Sequence, residues 1–129
     1  MEELINKANE LGEMIKASDI FTSYQQAKLK HDTDSELQCS VGEFNLKKMA
    51  LMQEMKNEER DEEKISRFQD EMKELYADIM RNPVMSEYLK SKEELEKMVN
   101  EVYSTINFHI TGKKSNGCSG SCSSCNGCG

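Results

Sequence analysis

Four cysteines at one end of the chain, Cys118, Cys122, Cys125 and Cys128, have the residue type and spacing to do chemistry. They follow the pattern C-x3-C-x2-C-x2-C, with only Ser, Gly and Asn between them. Four thiols this close in sequence can converge on one centre. Gly and Ser let the backbone wrap tightly and offer N–H groups to the sulfurs. Thiolates suit zinc or an iron–sulfur cluster, and geometry decides between the two. The ferredoxin run C-x2-C-x2-C-x3-C has this spacing reversed, which permits a cluster. Zinc sites more often use two C-x2-C pairs separated by a longer loop. A thiol-redox or metal-carrier role is the rival reading, with Cys122 and Cys125 exchanging disulfides. Against it, reactive C-x-x-C thiols normally sit at a helix N-terminus, and here the motif lies in a Gly/Ser coil.

The other reactive residue types complete no site. Cys39 falls alone in a helical pattern and reads as an ordinary thiol. His31 falls in a polar connection, where a solvated surface histidine is the default. His109 is nearer the cysteines but reads as a ligand only if it replaces a thiolate. The run Glu58 to Glu63 reads as a solvated face rather than a catalytic carboxylate pair. There is no phosphate-binding Gly loop, no H-E-x-x-H and no nucleophile elbow. The spacing C-x3-C-x2-C also occurs in radical-SAM enzymes, but those need a large α/β barrel around the cluster. The expected reading is therefore a protein that is not an enzyme, with no catalytic residues.

The elements that carry these residues are helical. The chain has 129 residues, enough for one domain, with 32% charged and 36% hydrophobic residues. There is one proline, Pro83, and five of the seven glycines lie at Gly112 or beyond. The body is thus nearly free of helix breakers. Leu4, Ile5, Ala8, Leu11 and Ile15 recur at steps of three and four, one face of a helix. Ser18 suits the N-cap of a second helix carrying Ile20, Phe21, Tyr24 and Ala27. Thr33 with Glu36 reads as a capping box for a third helix, with Asp34 as the alternative cap. Leu37, Val41, Phe44, Leu51 and Met55 continue that helix, and Ile65, Phe68, Met72, Leu75 and Ile79 mark a fourth. Between them, Lys56 to Lys64 is dense in charge and holds no Gly or Pro. Length predicts a turn there, because one helix from Leu37 to Ile79 would run about 60 Å. Asn82-Pro83 restarts the chain, with Asn82 as cap and Pro83 in the first helical position. A final helix carries Val84, Tyr88, Leu95, Val99, Val102 and Ile106 and ends at Gly112.

These patterns predict an all-α fold, a helical hairpin or bundle of four to five helices. Residues 1–111 form the helical domain. Residues 112–129 form a Cys/Gly/Ser-rich tail that cannot bury a core and is expected to be disordered unless tied down. The nine methionines read first as core filler and, alternatively, as an adaptable partner surface. So short a chain with such long stripes is also expected to oligomerise.

Net charge is −7, and the two tail lysines, Lys113 and Lys114, leave the body at −9. So acidic a body repels phosphate backbones, which argues against direct nucleic-acid binding. No run approaches the length of a membrane span, and the acidic start Met1-Glu2-Glu3-Leu4 is unlike a secretory signal. A cytoplasmic location follows as an expectation, with the cysteines as thiols or metal ligands rather than structural disulfides.

Particular residues carry a family likeness. Leu11-Gly12 with Ile15 and Ser18, then Tyr24, Ala27 and Phe44, resemble the first half of the YlbF/YmcA family. Asn82-Pro83-Val84, Glu87-Tyr88-Leu89, Glu94-Leu95, and Val102 with Ile106 resemble its second half. The likeness covers roughly residues 1 to 110, and the cysteine-rich end resembles the YlbF-like branch. It implies an all-helical, self-associating cytoplasmic regulator acting in competence, sporulation and biofilm formation. It further implies YmcA-like and YaaT-like partners in a complex that modulates ribonuclease Y and hence mRNA processing. By the same likeness, Cys118, Cys122, Cys125 and Cys128 would hold an iron–sulfur cluster of the 4Fe–4S type, which favours iron–sulfur over zinc.

Overall fold

The computed structural model describes residues 1–114. Among them are five α-helices and no strand: α1 (Glu2–Lys16), α2 (Asp19–Thr33), α3 (Ser35–Lys56), α4 (Glu62–Arg81) and α5 (Pro83–Thr111). The all-α expectation holds, and each helix begins within a few residues of where spacing and capping place it. Packing divides the chain into two units, Met1–Glu93 and Glu94–Gly129, with the boundary inside α5.

Short polar side chains set the joints of the first unit. The Ser18 hydroxyl donates to Ile15 O at 2.6 Å and accepts from Phe21 N–H at 3.2 Å, so it ends α1 and starts α2. Asp34, not Thr33, caps α3: its carboxylate accepts the Leu37 N–H at 3.0 Å. The Thr33 hydroxyl instead donates back to Leu29 O at 2.7 Å, inside α2. Asp34 N–H also closes α2 by donating to Lys30 O, so one residue separates the two helices. A cap of this kind is worth about 1 kcal/mol. Asn82 repeats the device between α4 and α5. Its N–H donates to Ile79 O, and its side chain accepts from Val84 N–H at 2.9 Å.

The charged stretch after Lys56 is a turn, as length requires. Asn57 to Asp61 reverses the chain between α3 and α4. Glu54 stitches the turn: its carboxylate accepts the Asp61 N–H at 3.0 Å and pairs with Lys64 at 3.5 Å. Asp61 in turn accepts from Glu63 and Lys64 N–H. Lys47 meets Glu71, and the Phe44 and Tyr76 rings lie 6.2 Å apart, so α4 runs back along α3 as an antiparallel hairpin.

The apolar core is thin. Ala27, Leu37, Ile65 and Ile79 are the buried hydrophobic residues, joined by Ser91, whose hydroxyl donates to Tyr88 O at 2.9 Å. No residue of α1 is buried. Most methionines are not core filler: Met1, Met14, Met49, Met52, Met55 and Met80 are exposed, while Met72, Met85 and Met98 are partly covered and none is buried. Their flexible thioethers lie on the outside because branched Leu and Ile occupy the few closed positions.

His31 also departs from expectation. It belongs to the last turn of α2 rather than to a connection, and its ring stacks on Tyr88 at 4.4 Å and 23°. Its side chain is 16% exposed. Nδ1 lies 2.9 Å from the Asp32 carboxylate, which favours the tautomer that donates there. Gln38, seven residues on, donates to His31 O at 2.7 Å. Tyr24 stacks on the same Tyr88 at 6.1 Å, so α2 grips the first turns of α5 through aromatic faces.

In the second unit, α5 runs to Thr111 and stops where the sequence stops it. Gly112 takes φ +70, a conformation that glycine adopts without a Cβ clash, and donates to Phe108 O at 2.7 Å.

Candidate functional site

Cys118, Cys122, Cys125 and Cys128, the expected cofactor and metal ligands, lie outside the described residues. Among the described residues, no group of three or more His, Cys, Asp or Glu side chains could hold a metal. Cys39 is exposed on α3 and is a free thiol. His109 is exposed in the last turn of α5, its ring edge-on to Phe108 at 5.7 Å.

The acidic run does local work. Asp61 caps α4, Glu62 pairs with Arg60 at 2.9 Å, and Glu58 to Glu63 are all exposed. One carboxylate in the described residues has a displaced titration. The hydrogen bond from Lys47 holds Glu71 below the usual carboxylate range; partial desolvation opposes this, and the Lys47 and Arg67 charges add to it. A lowered folded-state pKa stabilises the fold above the ordinary carboxylate value and loses that contribution as pH falls through the folded value. Glu71→Gln should therefore be less stable than wild type in urea at neutral pH. The gap should close in acid below the unfolded-state value of 4.5. A gap that stayed constant to low pH would mean the Lys47–Glu71 pair contributes nothing.

Sequence reasoning missed this pair because Lys47 and Glu71 stand 24 positions apart. Only the opposite charges on facing stripes of α3 and α4 signalled it.

The described residues offer surface rather than a closed pocket. Phe44 and Leu51 of α3, with Gln69, Met72, Lys73 and Tyr76 of α4, line an open groove of about 500 Å³. On the side of α3 turned away from α4, Cys39, Gly42, Leu46, Met49 and Gln53 recur at spacings of three and four, with no charge among them. Leu46 is 68% exposed and Met49 61%. Gly42 costs this helix about 1 kcal/mol relative to alanine. Among the described residues, no atom beyond its chain neighbours and the adjoining helix backbone lies within 4 Å of where its Cβ would sit, so packing among them does not require a glycine there.

Fold and surface together define a class: an all-α protein of short-jointed helices that turns apolar faces outward. The chain belongs to the YlbF/YmcA family, matching over residues 4–111 the family described as "Control of competence regulator ComK, YlbF/YmcA". That description is of a regulatory family. No curated protein and no solved structure matches the chain. No helix among the described residues is long and apolar enough to cross a membrane.

The residues that carried the family likeness have structural roles. Leu11 and Ile15 are the half-covered positions of α1, Ser18 is a cap and Ala27 is buried at 1% exposure. Tyr24 from the first half of the likeness stacks on Tyr88 from the second. Asn82 is the one-residue joint, and Pro83 opens the helix that carries Tyr88.

Proposed function

We propose that the protein is a non-enzymatic, cytoplasmic regulatory subunit. It docks helical partners on its outward apolar faces and holds an iron–sulfur cluster through Cys118, Cys122, Cys125 and Cys128. Its partners are YmcA-like and YaaT-like proteins, in an assembly that modulates ribonuclease Y-dependent mRNA processing. Competence, sporulation and biofilm formation are the pathways downstream. The observation that carries this reading is the uncovered apolar surface of α3 and α4 in a chain whose family is a regulatory one.

The donor set fits the cofactor. Four thiols within eleven residues, with only small residues between them, match what a 4Fe–4S centre takes from one chain. A bound cluster ties ligand ordering to iron and oxygen supply, because metal binding and local folding are one equilibrium. The cysteines thereby set whether the tail is ordered for partners.

Anaerobic purification of the full chain, alone and with co-expressed partners, tests this reading. Matched iron and sulfide with a broad visible absorption band, lost in a Cys122→Ser, Cys125→Ser variant, is the expected result. Tail-dependent zinc in a colourless protein would replace the cluster with a structural clip. Catalytic disulfide exchange by the purified chain would replace it with a thiol-redox or carrier role. Equal recovery of partners by wild type and variant would overturn cluster-controlled assembly.

A further inference from the structure

The α3–α4 hairpin has two unlike edges. Along one edge ion pairs join the helices, Lys47 to Glu71 and Lys64 to Glu54. At about 100° per residue, Glu36 and Glu43 of α3 fall on that same side. Phe44, Lys48, Met52 and Met55 fall on the other side, where the open groove lies. On α4, Gln69, Met72, Lys73, Tyr76 and Met80 share the arc that flanks the groove. Asp70, Glu71, Glu74 and Asp78 lie outside this arc. Glu62 enters it only in the first turn, where it pairs with Arg60. Beyond that turn the charges at the groove are Lys48 and Lys73.

These two lysines have no partner carboxylate among the described residues, whereas the adjacent Lys47 has Glu71. The chain carries a net charge of −7, yet this edge holds lysine and excludes acid. The apolar residues between the lysines are open: Met52, Met55 and Tyr76 are about half exposed.

We propose that the groove receives an acidic amphipathic helix of a different protein. Its apolar seam would lie on Phe44, Leu51, Met72 and Tyr76, with carboxylates on either flank reaching Lys48 and Lys73. Helix-in-groove recognition reads apolar anchors at spacings of three and four, and flanking charges choose the partner. Phe44 to Met55 spans about 16 Å, so the contact covers about three turns. Methionines suit such a surface because their unbranched thioethers adapt to the incoming side chains. A second copy of this groove is a poor occupant, because it would oppose lysine to lysine with no acid between them. The acidic helix is one particular partner within the docking role proposed above and rests on that role.

Two synthetic fluorescein-labelled helical peptides test the assignment by fluorescence anisotropy with the full, reduced chain. Both carry leucines at alternating spacings of four and three; one has Glu on both flanks and the other Lys. Net charge alone would draw the basic peptide to this acidic protein, so a preference for the acidic one has to come from a local site. Wild type should bind the acidic peptide about tenfold more tightly than the basic one. Lys48→Glu combined with Lys73→Glu should reverse that order while keeping the helical circular dichroism spectrum. Lys28→Glu combined with Lys90→Glu makes the same change in net charge elsewhere and should keep the wild-type order. Binding of neither peptide, a wild-type preference for the basic one, or an order unchanged by the groove substitutions would overturn the proposal. Self-assembly of the chain that displaces the acidic peptide would overturn it too, and give the groove to a second copy. Neither the tail nor iron enters these measurements. Failure here would leave the cluster test standing and move partner docking to the uncharged face of α3.

Discussion

Leu37→Ala is expected to lower the unfolding free energy by about 2–5 kcal/mol. Leu37 is the largest fully buried side chain, at 1% exposure, in the first turn of α3 just past the Asp34 joint. Its truncation removes transfer energy and leaves a cavity that a joint pinned by the Asp34 cap closes poorly. The effect is large because few other residues share the burden: among the described residues, Ala27, Ile65 and Ile79 are the other buried hydrophobic side chains. A domain holds about 5–15 kcal/mol in total. Urea unfolding followed by circular dichroism should show the transition moved well toward zero denaturant. Leu46→Ala, on the same helix but 68% exposed, is the control and should move it by no more than about 0.5 kcal/mol. Similar shifts for the two would mean that the hydrophobic face of α3 is chosen wrongly here.

Tyr88→Ala should cost about 3 kcal/mol. Its ring is the shared face on which His31 and Tyr24 stack, at 4.4 and 6.1 Å, so one truncation removes both ring stacks between α2 and α5. Tyr88→Phe keeps the stacking surface and should recover most of the loss. A proton spectrum gives the second readout. The His31 ring resonances should move toward unshifted positions in Tyr88→Ala and stay near their wild-type positions in Tyr88→Phe. Unmoved His31 resonances in the alanine variant would show that the stack is absent in solution.

The two predictions differ in how far the sequence foretold them. Leu37 opens a run at steps of four and three, and an aspartate three positions before it suits a helix start, so its helix was legible and its burial followed. The turn after Lys56 was legible only through a length limit, because Asn57, Glu54 and Asp61 build it from side-chain hydrogen bonds without Gly or Pro. His31 was not legible. Periodicity reports which residues share a face of one helix, and the partner of His31 stands 57 positions away on another. The methionines misled for a related reason. Spacing shows that a residue lies on an apolar stripe, whereas α3 has two such stripes and only one faces α4. The proposed ligand role of the four cysteines rests on spacing and thiolate chemistry, and the iron–sulfur proposal on those and on the family likeness.

The joints differ in another way, in how they tolerate changes of length. Asp34 and Asn82 each end one helix and begin the next, so an inserted residue there would rotate everything downstream by about 100° and turn buried positions outward. The Asn57–Asp61 turn has no such phase to keep, since its ends already lie side by side and its residues are exposed. Natural length variants of this chain should therefore cluster between residues 57 and 61 and avoid 34 and 82. A peptide tag or fluorescent reporter placed there would leave the phase of every helix unchanged.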